Sequence, residues 1–174
     1  MMKNENNIEI LTATTQEQLD DVRDLINEFL KWHLQIHLED MDLINEYFDP
    51  KDFKDELGTL PGKYAVPEGK LLLALCNNEP AGCVALKKLD DSSCEMKRMF
   101  VYPKYHGKGI GYRLAVAIIE DAKHIGYKFM KLDTSFRQTE AQKLYEGFGF
   151  KKIEPYYDLP DKLKNWLVFM ELEL

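Results

Sequence analysis

One glycine-rich stretch, Tyr105-His106-Gly107-Lys108-Gly109-Ile110-Gly111, constrains the fold of this chain more than any other part of it. Before it lies a run of strand formers at residues 94–102, ended by Pro103, which cannot donate to a ladder. After it, Leu114, Ala115, Ile118, Ile119, Ala122 and Ile125 fall at helical spacing and Gly126 stands just past the helix end. Strand, glycine turn, helix is the order that gathers free backbone N–H groups and the positive end of a helix dipole at one spot. Such a spot suits a phosphate. Glycines are needed there because side chains would block close approach of ligand oxygens and because these turns visit positive φ.

Several phosphate motifs share this physics, and spacing separates them. A P-loop requires Lys followed by Ser or Thr after its last glycine, whereas Gly111 precedes Tyr112 and Arg113. A dinucleotide fingerprint starting at Gly107 requires glycine where Tyr112 stands, and the preceding strands read as a meander, not a βαβ unit. A tight strand-to-helix turn with no ligand has the same local pattern, so the rest of the chain must decide.

The 174 residues suit a single domain, 1–174, because one core of this size is ordinarily buried by roughly 100–200 residues. Residues 8–13 alternate weakly as an opening strand. Thr14 or Thr15 with Glu17 and Gln18 caps a long amphipathic helix whose stripe is Leu19, Val22, Leu25, Ile26, Phe29, Leu30 and His33. Residues 41–57 read as one or two short helices divided at Pro50, and residues 58–69 as a loop walling a substrate site. Residues 71–76 and 81–87, joined by Asn77-Asn78-Glu79-Pro80, form a hairpin that residues 94–102 extend to a meander. Further on come a strand at 129–133, a helix at 140–146, a strand at 150–153 and a last strand at 166–172.

The strand before the glycine turn, Glu95-Met96-Lys97-Arg98-Met99-Phe100-Val101, and the segment Ala141-Gln142-Lys143-Leu144-Tyr145-Glu146-Gly147-Phe148-Gly149-Phe150 complete a three-part pattern. With the turn, written Q/R-x-x-G-x-G/A and carrying His106, Gly109 and Gly111, this order resembles the GNAT superfamily of N-acetyltransferases. His106 replaces the usual Arg or Gln. The resemblance implies an α/β fold of the α+β type: a mixed, mostly antiparallel sheet of about six to seven strands flanked by about four helices. It implies acetyl-CoA as co-substrate, with main-chain amides of Gly107, Lys108, Gly109, Gly111 and Tyr112 cradling the pyrophosphate beside Ile110. Lys104, Lys108 and Arg113 supply phosphate charge, and Met99, Phe100 and Val101 border the pantetheine arm.

By the same resemblance Tyr145 occupies the position whose hydroxyl faces the CoA sulfur, and Glu95 the position of a general base. Glu95 also lies two residues from Lys97, the spacing of a same-face pair on a strand, and Tyr145 beside Leu144 suits ordinary packing. The main-chain N–H of Met99 is the expected polariser of the thioester carbonyl. For the acceptor, Lys63, Lys97, Arg98 and Arg137 can hold a carboxylate, with Tyr64 and Thr134 in the same wall, while Asp133 and the acidic residues 39–42 instead suit a polyamine or aminoglycoside. Tyr156 and Tyr157 line that pocket or cap the sheet edge.

Composition fills in the partners. A formal charge of -7, from 23 basic and 30 acidic residues, repels polyanions on average and argues against nucleic acid. The polar residues 1–9 and the lack of a long apolar run argue for a cytoplasmic chain away from membranes. Cys76, Cys83 and Cys94 read as reduced packing residues, and His33 and His37, at i and i+4 without an HExxH glutamate, do not suggest a metal. The leading expectation is direct ternary-complex acetylation of a small primary amine. A protein or peptide N-acetyltransferase and a non-catalytic acyl-CoA-binding module are the alternatives, and exposed sheet edges allow a homodimer.

Overall fold

The computed structural model describes residues 7–174; residues 1–6, part of the polar opening noted above, lie outside the described residues. Seven strands form one sheet: β1 (Ile8–Thr12), β2 (Lys70–Cys76), β3 (Glu79–Lys88), β4 (Ser93–Val101), β5 (Phe129–Ser135), β6 (Lys151–Ile153) and β7 (Leu167–Glu173). Their spatial order is β1-β2-β3-β4-β5-β7-β6, and among the described residues the β4–β5 pair alone is parallel. The β2–β3 hairpin turns at Asn77 and Asn78, with φ of 52° and 67°, because asparagine tolerates the left-handed conformation such a turn demands.

The helices are α1 (Gln16–Ile36), α2 (Met41–Tyr47), α3 (Pro50–Gly58), α4 (Ile110–Ile125), α5 (Thr139–Gly147) and α6 (Asp161–Trp166). Thr15 and Gln18 cap α1 reciprocally, and Asp49 caps α3 ahead of Pro50. Among the described residues six helices stand where about four were expected, residues 41–57 having formed two, α2 and α3. The helix not expected at all is α6: at 6 residues it is too short to show a helical period, so Trp166 read as the start of the last strand when it ends a helix.

Each sheet face has its own core. On one, Val22, Leu25 and Ile26 of α1 pack with Ile44 and Phe48 of the α2 region against β2, β3 and β4. On the other, Leu114 and Ile118 of α4 and Tyr145 of α5 cover Val84, Met96 and Leu132. Cys76, Cys83 and Cys94 are free and buried in these layers, and burial pushes the Cys83 and Cys94 thiols up to about 12.

Two irregularities open the sheet at its centre. β4 and β5 pair only through Ser93–Phe129, Cys94–Met130 and Glu95–Lys131, and then diverge. On the other edge of β4 the β3 register shifts between Cys83 and Ala85, a bulge at which Arg98 takes φ 57°. Arg98 and Met99 therefore have no rung on either side, and a gap forms beside them.

Candidate active site

One side of the gap opens on the glycine turn. α4 starts from Gly109 in the left-handed region, φ 76°, with no side-chain cap, so the first-turn N–H groups have no partner inside the helix. Gly107 is also left-handed, φ 77°, and a Cβ on either glycine would meet nothing within 4 Å. The turn is held open by backbone conformation and faces empty space. That space is a cleft of about 630 Å³ bordered by Met99, Phe100, Val101, His106, Gly107 and Gly109, with Ile110 and Gly111 at its end. Unpaired amides, a positive helix end and room beside both fit a diphosphate.

The side chains expected to add charge are arranged differently. His106 Nε2 lies 2.9 Å from the Val101 carbonyl oxygen, so the imidazole braces the turn against β4. Tyr112 stacks on Phe148 with ring centroids 5.0 Å apart, leaving its amide as its contribution. Arg113 reaches the carbonyl of Ile8 at 3.4 Å, which turns its guanidinium toward β1 and away from the cleft it was expected to serve. Lys108 and Lys104 both lie over the Tyr105 ring, at 5.6 Å and 4.9 Å.

The gap itself is walled by Met99, Asp133, Thr134 and Tyr145. Tyr145 is 6% exposed, and its hydroxyl has no hydrogen-bond partner among the described residues. Burial first, then the nearby Asp133 carboxylate, raise its phenol well above the ordinary range, so it stays protonated as a donor. Thr134 Oγ1 donates to Gln138 Oε1 at 2.8 Å, and Gln138 Nε2 lies 2.6 Å from His33 Nε2. Burial holds His33 down to about 4, so it is neutral at physiological pH.

Beyond the gap lies a second cleft, about 480 Å³, lined by Glu95, Lys87, Lys97, Lys131, Tyr156 and Tyr157. Glu95 is 2% exposed and Tyr156 donates to its Oε2 at 3.0 Å. Lys97 Nζ comes within 2.9 Å of Glu95 Oε1, yet no hydrogen bond reaches that oxygen. The contact is an ion pair without an N–H aimed along it, and Oε1 keeps its accepting capacity. Asp133 accepts from Tyr47 at 2.5 Å and from Tyr157 at 2.8 Å. Burial works against the Lys97 charge, but Asp133 and Glu95 outweigh it and raise the ammonium above its usual value.

Four expected acceptor contacts are committed elsewhere. Arg98 donates to both oxygens of Glu56, at 2.9 Å and 2.8 Å, and lies 5.0 Å over the Phe48 ring. Tyr64 donates to the same carboxylate at 2.6 Å and Lys63 at 3.1 Å, in a separate surface hollow with α3. Burial opposes ionisation of Glu56, but the Arg98 guanidinium and these donors hold it down to about 2. Arg137 pairs with Asp40 at 2.6 Å and Glu39 at 3.2 Å, on the side of the glycine-turn cleft. Of the expected set, Lys97, Arg98 and Thr134 line the gap, Lys97 paired with Glu95 and Thr134 bonded to Gln138.

Tyr47, Lys87, Lys131 and Gln138 were not singled out from the sequence. Strand alternation carried a signal for Lys131, which faces the same side as Asp133, and for Lys87, which opposes Glu95 across β3–β4. Tyr47 gave none, since it joins Asp133 across 86 residues. Among the described residues no group of three or more His, Cys, Asp or Glu side chains could hold a metal ion, and no helix is long and apolar enough to cross a membrane.

A family model described as Acetyltransferase (GNAT) family matches residues 21–150. An uncharacterized N-acetyltransferase of Schizosaccharomyces pombe is 37% identical, over 100% of this chain and 99% of its own length. Among solved structures, an acetyltransferase of Streptococcus agalactiae aligns with TM-score 0.73 at 24% identity, covering 96% of this chain and 98% of that one. The PaiA N-acetyltransferase of Thermoplasma acidophilum, crystallised with coenzyme A, aligns with TM-score 0.70 at 20% identity over 97% and 99% of the two chains. With the family match spanning the parted strands, the glycine turn and the α5 tyrosine alike, the chain belongs to the GNAT family of acetyltransferases.

Proposed function

We propose that the protein transfers an acetyl group from acetyl-CoA to the primary amine of a small molecule, by direct attack while both are bound. The observation that carries this reading is continuity between the two clefts. The glycine-turn cleft and the gap share Phe29, Met99 and Gln138, and the gap and the acceptor cleft share Tyr47, Lys97 and Arg98. A thioester aimed along the first meets an amine held in the second.

The chain's own groups divide the work. The amides of the α4 start hold the diphosphate, and the unpaired backbone at Met99 presents an N–H to the acyl oxygen. Glu95 Oε1 takes the proton that the acceptor ammonium must lose, directly or through water, and Tyr145 gives a proton to the departing sulfur. Holding the two reactants at the same gap supplies much of the acceleration by itself. The acceptor cleft is roofed by Tyr156, Tyr157, Leu159 and Leu163, which suits a small molecule better than a peptide lying across an open groove. Tyr145 and Glu95 together argue against a module that only binds acyl-CoA.

The test is thiol release from acetyl-CoA against a panel of amines, with the acetylated product identified by mass. Turnover with at least one small amine, depressed in Tyr145→Phe, is expected. Coenzyme binding with no amine-stimulated release, and no effect of Tyr145→Phe on any residual rate, would refute the enzyme reading.

A further inference from the structure

The acceptor cleft has a charge pattern that the transfer reaction alone does not require. Glu95 stands at the meeting of three strands: Lys87 opposes it on β3, Lys131 pairs with it on β5, and Lys97 follows two residues along β4 on the same face. Three lysines thus share the cleft face with one buried carboxylate, the Lys87 and Lys97 nitrogens lying 3.8 Å and 2.9 Å from Oε1. Lys97 is further matched by Asp133, which already accepts from Tyr47 and Tyr157. Lys131 has Glu171, half-buried on β7, at 3.6 Å.

The remaining charges on the cleft wall are engaged elsewhere. Arg98 is neutralised by Glu56, Glu46 pairs with Lys162, and Asp90 at the rim accepts the backbone amides of Ser92 and Ser93. Lys87 and Lys131, on the wall of the cleft, are left with long, non-hydrogen-bonded ion contacts, Lys131 lying 5.3 Å over the Tyr156 ring. A wall that offers loosely paired ammonium groups beside a carboxylate is complementary to a ligand carrying both charges. Glu95 lines the cleft beside these lysines, and its buried Oε1 lacks a hydrogen-bond donor, which a ligand N–H reaching it would supply.

We infer that the acceptor is a zwitterion, an amino acid or a close analogue. Its amine donates to Glu95 Oε1, and its carboxylate is held by Lys131 and Lys87 under the Tyr156 and Tyr157 rings. The inference rests on the acetyl-transfer reading and adds the acceptor class to it. In the reaction the amine nitrogen bonds to the acetyl carbon and the carbon–sulfur bond breaks. Of the two protons the ammonium nitrogen loses, the first passes to Glu95 and on to solvent, while the second, lost after attack, replaces the proton that Tyr145 gives to the thiolate. The acceptor carboxylate stays unchanged, so the lysines act in binding alone. A diamine or polyamine would bring a second cation to Lys87 and Lys131 and is selected against.

The experiment compares kcat/KM for amino acids with that for the matching amino-acid amides, which keep the amine and lose the negative charge, and for simple diamines. The expected preference for the acid over its amide is at least about tenfold, the worth of one well-placed charge pair. In Lys131→Gln and Lys87→Gln that ratio falls toward one, chiefly through KM for the acid, while Lys123→Gln on the outer face of α4 keeps the wild-type ratio. Amides or diamines used as well as the acids would overturn the zwitterion while leaving acetyl transfer to amines standing. Failure of every amine to stimulate thiol release would remove both.

Discussion

The two ends of the active gap are built from different materials. The coenzyme end is backbone: two left-handed glycines, an uncapped helix start and a strand bulge, all within residues 98–111. The acceptor end is side chains brought together over long sequence distances, with Glu56 and Arg98 42 residues apart, Glu95 and Tyr156 61, and Tyr47 and Asp133 86. Main-chain machinery tolerates side-chain change around it, as His106 shows by bracing the turn where the family carries Arg or Gln. A side-chain lattice does not, because each member holds another's charge. Donor recognition is thus local and robust, whereas acceptor recognition is dispersed and open to divergence.

The largest expected effect breaks the acceptor lattice while sparing the coenzyme end. Arg98 and Glu56 have side chains 9% and 7% exposed, so Glu56→Ala strands a buried guanidinium and costs about 3–5 kcal/mol in urea unfolding. Coenzyme affinity of the fraction still folded should hold at the wild-type value. A loss below about 1 kcal/mol would mean that solvent reaches Arg98 and that the lattice is not rigid.

Next in size is Tyr145→Phe, which removes the proposed proton donor but keeps the ring in its core. A fall in kcat of about 100-fold with unchanged coenzyme affinity is expected, the lower end for a lost general acid. An equal fall in affinity would assign the hydroxyl to binding instead.

The legibility of the two ends differs for the same reason. Gly107, Gly109 and Gly111 announce their backbone requirement in order along the chain, and the hairpin, α1 and α4 were readable from turn chemistry and period. Tyr145 and Glu95 were reached by position in motifs, and Tyr145 lines the gap while Glu95 lines the cleft beyond it. Lys63, Tyr64, Arg98 and Arg137 were plausible acceptor contacts on charge and polarity. Nothing in sequence reveals that Glu56 and Asp40 consume them, because a pairing partner on a distant helix leaves no periodic trace. Helix α6 escaped because its six residues span less than two turns.

A smaller effect joins the two ends through pH. His33, on the wall of the gap, has its folded pKa lowered by burial to about 4 from 6.5, so the unfolded chain takes up a proton first as pH falls. Stability present above 6.5 is therefore lost progressively as pH drops toward 4. About 2 kcal/mol should be gone by pH 5, as read by urea melts, with a flatter profile in His33→Gln. Parallel profiles would show that His33 does not carry the dependence. Least of all, Lys63→Ala, whose side chain is 45% exposed beside Glu56, should cost under about 1 kcal/mol, since the Arg98 pair carries the load.

The most direct measurement is calorimetric titration of the protein with coenzyme A and with pantetheine, which keeps the thiol arm and lacks the diphosphate. If amides at the start of α4 grip that group, coenzyme A binds at least about 100-fold more tightly, and Gly109→Val erases most of the difference. Equal affinities for the two ligands, or a Gly109→Val protein that still separates them, would contradict the account.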